Sequence, residues 1–409
     1  MTGSITNYYA GGHTARGFVS LLDSSLQGLE RVYILQGGPV SWKSGIIEQL
    51  GTQATNLGCD IWLIHCASDN ALVEGLIIPG LKIGVVDSTA LNAAKGTIED
   101  TAAEYVDLGA ACEPSLLGIQ QPVIARLEQE IADTYQLAYA GFAEALRIHD
   151  DWEALYIAKM NFRAADELSR EFVDLLFGEQ KLGEQRPGEH GELVLELEGH
   201  GRGEQELGGE ALGEQVRGEQ KTSGKGRVDH RYLGAATPLG AVDYVPNLTA
   251  GLKRYLIKGR PGSGKSTILK KLAAAGIERG YDVEIYHCGF DPNSLDMVIV
   301  RQLGFAIFDS TAPHEYFPER DTDEIVDTYE RFIKPGTDEN NEAAIQDFSQ
   351  RYAAQMKASI HQLALAKELR DELERIYKLA SDSRVADRIK LQLTQELNNL
   401  AASAEGAKF

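Results

Sequence analysis

Short apolar runs that lead into a glycine recur in two separate parts of the chain. RVYILQG (31–37) and KRYLIKG (253–259) are typical of buried strands that enter loops. Each is followed by a segment with apolar residues at helical spacing that stops at glycine, SGIIEQLGTQATNLG (44–58) and STILKKLAAAGIERG (266–280). Further apolar runs that predict strands lie at 60–66, 82–87, 282–288 and 304–309. The alternation of strand and helix predicts an α/β fold with parallel sheets covered by helices on both faces.

The two parts of the chain are related by an internal repeat. Aligning Lys43 with Lys265 sets an offset of 222 (265 minus 43), and the same offset aligns Asp87 with Asp309 without a gap. Other identical residues at this offset are Gly37/Gly259, Pro39/Pro261, Ser44/Ser266, His65/His287 and Cys66/Cys288. A register kept through a loop and two strands indicates a duplicated α/β unit.

A long, charged segment of helix-favouring residues follows each α/β unit, at 120–177 and at 340–402. The two segments show weak sequence similarity, with identical residues at Tyr156/Tyr377, Arg163/Arg384 and Asp166/Asp387. We therefore expect each copy to end in a helical arm, folded as a hairpin or bundle.

The segment between the two copies differs from both of them in amino-acid composition. Residues 178–226 repeat the triplet GEQ, carry glycine every few positions and lack aromatic residues. Such a segment buries too little apolar surface to offset its ordering entropy, so we expect a flexible linker or insertion. The predicted division is a first copy at 1–177, the linker, and a second copy at 227–409.

Composition narrows the classes of function. The formal net charge of −21 argues against a nucleic-acid binder, because a phosphate backbone attracts a surplus of Lys and Arg. The four cysteines are sparse and irregularly spaced, as in proteins of the reducing cytosol. We see neither a signal peptide nor an apolar stretch near the roughly 18 residues of a membrane span. We therefore expect a cytoplasmic protein that binds neither membrane nor nucleic acid.

The second copy contains a complete phosphate-loop pattern. GRPGSGKS (259–266) fits G-x-x-x-x-G-K-[ST] between a predicted strand and a predicted helix. Backbone N–H groups of such a loop point at phosphate, and the helix N-terminus adds positive potential. Lys265 is expected to reach the β- and γ-phosphates, and the Ser266 hydroxyl to ligate Mg²⁺. The expected ATP-binding residues are Gly259, Arg260, Pro261, Gly262, Ser263, Gly264, Lys265, Ser266 and Thr267.

The first copy carries a damaged version of the same loop. GGPVSWKS (37–44) keeps the lysine and serine, but Val40 and Trp42 stand opposite Gly262 and Gly264. A β-branched residue is poorly suited to positive φ, and strained backbone costs about 1–3 kcal/mol. The indole also adds bulk where phosphate would lie. We therefore expect weak nucleotide binding or none at this loop, and no efficient hydrolysis.

Three further residues of the second copy are candidates for chemistry. Asp309 ends the apolar run GFAIFD, and an acid at a strand end beside the loop is a usual second Mg²⁺ anchor. Asp291 either holds a water or an acceptor hydroxyl, as in small-molecule kinases, or only forms a turn before Pro292. His314 is a candidate to line the γ-phosphate or a substrate pocket. The candidate catalytic residues are therefore Lys265, Asp309, Asp291 and His314, with Ser266 and Asp309 as metal ligands.

YYAGGHTARGF (8–18), LQGLERVYILQGGP (26–39), the second loop and DSTAPHEYFPER (309–320) resemble an uncharacterised family of tandem P-loop ATPases from spore-forming Firmicutes. The resemblance covers nearly the whole chain except the GEQ-rich segment. It implies two P-loop NTPase-like domains, ATP binding and hydrolysis, and it offers no substrate. Val40 and Trp42 depart from that family, so a mechanism with two active sites is not expected.

These observations lead to one main hypothesis and two alternatives. The main hypothesis is a Mg²⁺-ATP-binding protein that acts as a slow ATPase at the second loop. One alternative is a small-molecule or nucleotide kinase in which Asp291 acts on the acceptor. The other is a non-hydrolysing nucleotide switch or scaffold whose helical arms bind a protein partner. A guanine-reading N-K-x-D pattern is absent after the second loop, which favours ATP over GTP.

Overall fold

The protein is an α/β structure with two six-stranded sheets. The computed structural model describes residues 2–94, 102–178 and 226–406. The linker predicted at 178–226 lies almost entirely outside the described residues. Among the described residues, no helix combines the length and the apolar character needed to cross a membrane.

The first copy forms the first sheet and the first arm. Its described strands are β1 (Ile5–Tyr8), β2 (Gly11–Thr14), β3 (Gly17–Ser20), β4 (Arg31–Gln36), β5 (Ile61–His65), β6 (Val73–Ile78), β7 (Ile83–Asp87) and β8 (Ala102–Asp107). Its described α-helices are α1 (Leu22–Leu26), α2 (Val40–Asn56), α3 (Ser88–Ala94), α4 (Pro114–Ile157) and α5 (Phe162–Phe177). The last two helices form the arm.

The second copy repeats this order of strands. They are β9 (Val228–Tyr232), β10 (Gly234–Thr237), β11 (Gly240–Asp243), β12 (Lys253–Lys258), β13 (Val283–His287), β14 (Leu295–Val300), β15 (Phe305–Asp309) and β16 (Glu324–Asp327). The described α-helices are α6 (Val245–Leu248), α7 (Lys265–Glu278), α8 (Thr328–Phe332), α9 (Thr337–Asn340), α10 (Glu342–Leu379) and α11 (Ser383–Gly406). Here α10 and α11 form the arm.

Both sheets have the same strand order and both are mixed. The first sheet runs β1-β5-β6-β7-β4-β8, and the second runs β9-β13-β14-β15-β12-β16 when read from the corresponding edge. Most neighbours are parallel, but β6 and β14 are antiparallel to both of their neighbours. The expectation of parallel sheets is therefore confirmed only in part, because each sheet is largely parallel but contains one antiparallel strand. The links at 66–72 and 288–294 are shorter than the dozen or more residues that a parallel crossover needs.

The inner faces of the two sheets share one hydrophobic core. Alternate residues of a strand point to opposite faces, so Ile34 of β4 joins this core while Leu35 packs on the outer side. The shared core combines side chains of both copies, among them Val32, Ile34, Val86, Leu256, Ala306 and Phe308. The helices α1 and α6 contribute leucines to the same cluster. The two copies therefore fold around a common centre.

Reciprocal contacts at this centre resemble those of a two-fold symmetric dimer. Tyr9 and Tyr232 exchange two backbone hydrogen bonds, with N···O distances of 3.1 and 2.9 Å. The Asn7 N–H donates to the Asn247 side chain (2.7 Å), and the His230 N–H donates to the Ser24 hydroxyl (2.7 Å). At an offset of 223, one more than that of the loops, Asn7 is equivalent to His230, Tyr9 to Tyr232 and Ser24 to Asn247, so each copy makes the same contact to the other.

The arms cross between the copies. The outer face of the second sheet and α7 is covered by α5, whose Leu168 and Phe172 lie in that core. The outer face of the first sheet and α2 is covered by α11, through Leu393 and Leu397. Each arm therefore packs on the sheet of the other copy.

The two long helices of the arms pair with each other. Helix α4 packs extensively and antiparallel against α10. Near one end the Glu113 N–H donates to the Ala380 carbonyl (2.7 Å), and further along Arg370 donates to the Tyr135 hydroxyl (3.2 Å). Phe142 and Leu363 are buried together in the middle. The arms thus form an interlocked pair rather than the two separate hairpins or bundles expected from the sequence.

The crossed arms predict that truncation in one arm destabilises the other copy. Phe172→Ala removes a ring that packs edge-on against Tyr255 at 5.5 Å, at a cost of about 3 kcal/mol. Hydrogen exchange should accelerate in α7 more than in α2 for this variant. The repeat-equivalent Leu393→Ala should accelerate exchange in α2 more than in α7.

Matched controls are Leu175→Ala and Leu391→Ala, which truncate leucines that are 62% and 59% exposed on the same two helices. Both should leave exchange almost unchanged. Faster exchange confined to the copy that carries the substitution would contradict the crossed packing.

Candidate functional site

The second loop connects β12 to α7 and has the backbone conformation that its glycines permit. Gly262 and Gly264 have φ of +70° and +84°, the left-handed region that disfavours side chains. Space is short as well, because a Cβ on Gly262 would lie 2.6 Å from the carbonyl oxygen of Glu153. A Cβ on Gly264 would lie 2.7 Å from the Met160 methyl group. Gly262 is therefore required by conformation and by close approach, whereas Gly264 is required by conformation, because the flexible Met160 side chain can move aside.

Hydrogen bonds within the second copy brace the base of this loop. The buried Ser263 hydroxyl oxygen lies 2.8 Å from the Arg260 carbonyl oxygen and 2.8 Å from the Thr328 hydroxyl oxygen, and its one proton bonds to one of them at a time. Thr328 in turn donates to the Lys258 carbonyl (2.9 Å). A Cβ on Gly259 would lie 2.2 Å from the Thr328 hydroxyl oxygen, so this position also needs glycine. The loop is held at both ends before any ligand enters.

Lys265 and Ser266 occupy the first turn of α7, at the mouth of the loop. The Lys265 ammonium group donates to the Arg260 carbonyl (2.9 Å) and lies 3.6 Å from a carboxylate oxygen of Asp309. The Ser266 hydroxyl accepts a hydrogen bond from the Leu295 N–H (2.9 Å). Asp309 stands beside the loop because β12 and β15 are neighbours, with Ile257 paired to Asp309. The Lys265 ammonium group and the Asp309 carboxylate are therefore close together, and Ser266 lines the same cleft.

A second acid near Asp309 was missed by the sequence interpretation. Asp296 on β14 is buried, and burial together with the charge of Asp309 raises its pKa to about 6. The first copy carries Glu74 at the same offset of 222, beside Asp87. Burial and the charge of Asp87 raise the pKa of Glu74 to about 8. The acid repeated at this offset, Glu74 in the first copy and Asp296 in the second, is the sequence signal that could have identified this position.

Asp291 and His314 both line the site but are already engaged. Asp291 accepts a hydrogen bond from Arg16, which the first copy contributes (2.8 Å). His314 is hydrogen-bonded through Nδ1 to Asp243 at 2.8 Å. Burial opposes its charge, but this bond and the carboxylates of Asp296 and Asp309 raise the pKa of His314. Asp243 therefore orients His314, and the carboxylates around it favour the charged form of its ring.

All of the predicted site residues line one cleft of about 1880 Å³ between the second sheet and the arms. Helices α4 and α10 form the opposite wall. Tyr352 of α10 packs edge-on against Phe290 of the link 288–294, with ring centroids 5.7 Å apart. Acidic side chains outnumber basic ones along the lining. On α4, the ligand atoms of His149, Asp150 and Glu153 lie within 4.8 Å of one another. The site is thus composite, because both copies build its walls.

The first loop differs in backbone as well as in sequence. Its positive φ angles fall at Gly37 (+69°) and Gly38 (+64°), and helix α2 already begins at Val40. In the second copy the helix begins only at Lys265, which aligns with Lys43. The strain expected at Val40 therefore does not arise, because an added helical turn replaces the phosphate loop.

Ion pairs within the protein fill the remainder of the first site. The Lys43 ammonium group lies 2.7 Å from the Asp87 carboxylate, and both side chains are buried. Lys367 of α10 pairs with Asp69 at 3.2 Å, at the position aligned with Asp291. The Ser44 hydroxyl accepts the Val73 N–H (3.0 Å), as Ser266 does with Leu295. The first site keeps the scaffold of the second but has its charges neutralised internally.

Comparisons of the chain with protein-family models, with curated proteins and with solved structures give no match. The function of the cleft is therefore inferred from its geometry and its sequence pattern.

The buried Lys43–Asp87 pair predicts a structural role for Lys43. Lys43→Ala leaves the Asp87 carboxylate buried without its partner, which should lower the free energy of unfolding by about 3 kcal/mol. Chemical denaturation measures this change. Lys82→Ala is the matched control, because its pair with Glu30 is largely exposed and is worth less than about 1 kcal/mol. Equal stabilities of the two variants would show that the buried pair is not needed.

Proposed function

We propose that the protein binds Mg²⁺-ATP at the second loop and hydrolyses it slowly. The observation that carries this proposal is the convergence of Lys265, Ser266 and Asp309 on a strand–loop–helix whose glycines adopt left-handed backbone conformations. A phosphate-binding loop requires this context and these residue types. The first site has closed over its own ion pairs, so we propose a single competent site.

In this proposal each residue has a distinct role. Backbone N–H groups of 259–264 and the N-terminus of α7 hold the phosphates. Lys265 neutralises charge on the β- and γ-phosphates, and Ser266 with Asp309 holds Mg²⁺. His314, held by Asp243, adds positive charge near the γ-phosphate.

The acids of the cleft support a requirement for the metal. An ATP polyanion would meet Asp296 and Asp309 at close range, and repulsion opposes its entry without a cation. We include Asp296 in the Mg²⁺ site, as a direct ligand or through water. Carboxylate and hydroxyl oxygens are the donors that Mg²⁺ prefers.

The rate is proposed to be low because a mobile arginine is missing from the described lining of the cleft. Fast nucleotide hydrolysis uses an arginine to stabilise charge in the transition state. Arg260 lines the cleft, but its guanidinium donates to the Asp338 carboxylate at 2.9 and 3.0 Å. We also propose the cytoplasm as the compartment, from the sparse and irregular cysteines.

The size of the cleft favours one alternative function. Small-molecule sites usually occupy about 300–1,000 Å³, and this cleft of about 1880 Å³ exceeds that range. A phosphate acceptor would fit beside ATP, with Asp291 as its base. A kinase of this kind requires Asp291 to leave Arg16, to which it is bound here.

Phosphate release from Mg²⁺-ATP without an added acceptor tests the main proposal. Lys265→Ala should lower turnover at least about a hundredfold and abolish stabilisation by Mg²⁺-ATP, because the charge on the β- and γ-phosphates loses its partner. Lys43→Ala is the matched control at the repeated position. It should retain both turnover and stabilisation by Mg²⁺-ATP when it is assayed below its own unfolding temperature. Turnover that survives Lys265→Ala would overturn the assignment of the site. Tight binding without turnover would leave a kinase that awaits its acceptor or a switch that awaits its partner.

Asp296→Asn should separate stability from metal binding. Because burial and the charge of Asp309 raise the folded pKa of Asp296 to about 6, its ionisation destabilises the empty protein as the pH rises from 3.8, and the full cost is present above about 6. The variant should therefore gain about 2 kcal/mol in the free energy of unfolding at pH 7.5 with chelator. Stabilisation by Mg²⁺-ATP should fall, because a metal-binding carboxylate is lost. Glu74→Gln is the control: it should also gain stability but keep the full Mg²⁺-ATP response. Identical responses of both variants to Mg²⁺-ATP would remove Asp296 from the metal site.

A further inference from the structure

A carboxylate from the other copy already occupies part of the second loop. The Gly262 N–H donates a hydrogen bond to Oε1 of Glu153 on α4 (3.1 Å). In a phosphate-binding loop such an N–H group faces the phosphate. Glu153 therefore supplies an anion in the place that a nucleotide phosphate would take.

The first loop shows the same arrangement with the roles of the copies reversed. Glu374 on α10 accepts hydrogen bonds from the Val40 N–H (2.9 Å) and the Ser41 N–H (3.0 Å). Glu374 follows Glu153 by 221 positions (374 minus 153), the offset that also relates Tyr156 to Tyr377. The loop residues agree as well, because Val40 aligns with Gly262. A glutamate from each arm thus binds the loop of the other copy, so the contact belongs to the repeated design.

The two glutamates are held with different strength. Glu374 accepts from two N–H groups and from the Ser41 hydroxyl (2.5 Å), and its side chain is 18% exposed. Lys378 adds a positive charge 3.5 Å away. Glu153 has one N–H donor in the loop, and its side chain is 35% exposed. The Glu374 contact therefore holds the first loop closed, whereas the Glu153 contact on the second loop is weaker and can be displaced by a ligand.

We propose that Glu153 is an internal competitor of the nucleotide, so that the arm of the first copy sets the affinity of the second loop. The proposal rests on the proposed function of that loop as a phosphate site. The Glu153 carboxylate and a phosphate group compete for the same N–H donor and repel each other at short range. Nucleotide binding therefore requires Glu153 to leave the loop.

The neighbourhood provides a place for the displaced side chain. His149 lies one turn earlier on α4, with Nδ1 at 3.8 Å from Oε1 of Glu153. A rotation of the Glu153 side chain toward His149 frees the loop without moving the helix. Because α4 packs along α10, which holds Glu374 on the first loop, a larger displacement of α4 would be felt by the first copy. The arm of the first copy and the nucleotide thus compete for the same loop.

The test compares the dissociation constant of Mg²⁺-ATP, by calorimetry, for the wild type, Glu153→Ala and Glu153→Gln in the full chain. Removing one charge-assisted hydrogen bond and the repulsion should tighten binding about tenfold in Glu153→Ala. Glu153→Gln keeps an acceptor but no charge, so its gain should be smaller. Glu144→Ala is the matched control on the same helix outside the cleft and should leave the constant unchanged. In nucleotide-free protein, exchange of the amides of 259–266 should accelerate in Glu153→Ala.

Five outcomes decide the question. Tighter binding by Glu153→Ala supports the proposal, and so does binding that appears only in this variant. An unchanged or weaker affinity, in a protein whose binding is abolished by Lys265→Ala, overturns this inference and leaves the proposed function intact. If neither the wild type nor Glu153→Ala binds Mg²⁺-ATP, the phosphate site and its competitor both fail. Unchanged amide exchange overturns the contact itself.

Discussion

Each copy covers the outer face of its own sheet only in part, with α2 or α7, and the arm of the other copy completes that layer. Phe172 completes the core beside α7, and Leu393 completes the core beside α2. This exchange forces α4 and α10 to pass each other between the copies. The cleft in front of the second loop exists because those helices form its far wall. The site is therefore a product of the packing between copies rather than of one domain.

Two loops on nearly identical scaffolds reach opposite states. Where glycine remains, the backbone turns through left-handed conformations and leaves a cleft. Where Val40 and Trp42 replace glycine, the helix gains a turn and the space closes. Buried charges respond accordingly: Lys43 neutralises Asp87 at 2.7 Å, whereas Lys265 stays 3.6 Å from Asp309. A few residues thus convert a ligand-binding arrangement into a self-contained one.

The sequence predicts the local features well and the long-range ones poorly. Strand ends, the loop and the positions of Lys265, Ser266 and Asp309 follow from short patterns. The strands β6 and β14 were not among those predicted, and the antiparallel direction that they give to each sheet was missed with them. Asp296 was hidden inside an apolar run. The crossing of the arms, and with it Glu153, depends on packing between segments far apart in the chain, which periodicity does not encode.

The exchange of arms also bears on how such a chain arose. A single ancestral copy has no internal partner for its arm, so its smallest closed form is a homodimer with two equal loops. In that dimer every substitution in the loop changes both sites, because the two chains are identical. Joining two copies in one chain removes this constraint, and one loop is then free to diverge while the other keeps its glycines. Joining the two copies in one chain breaks the symmetry of the dimer. One loop can then serve the structure while the other keeps its cleft.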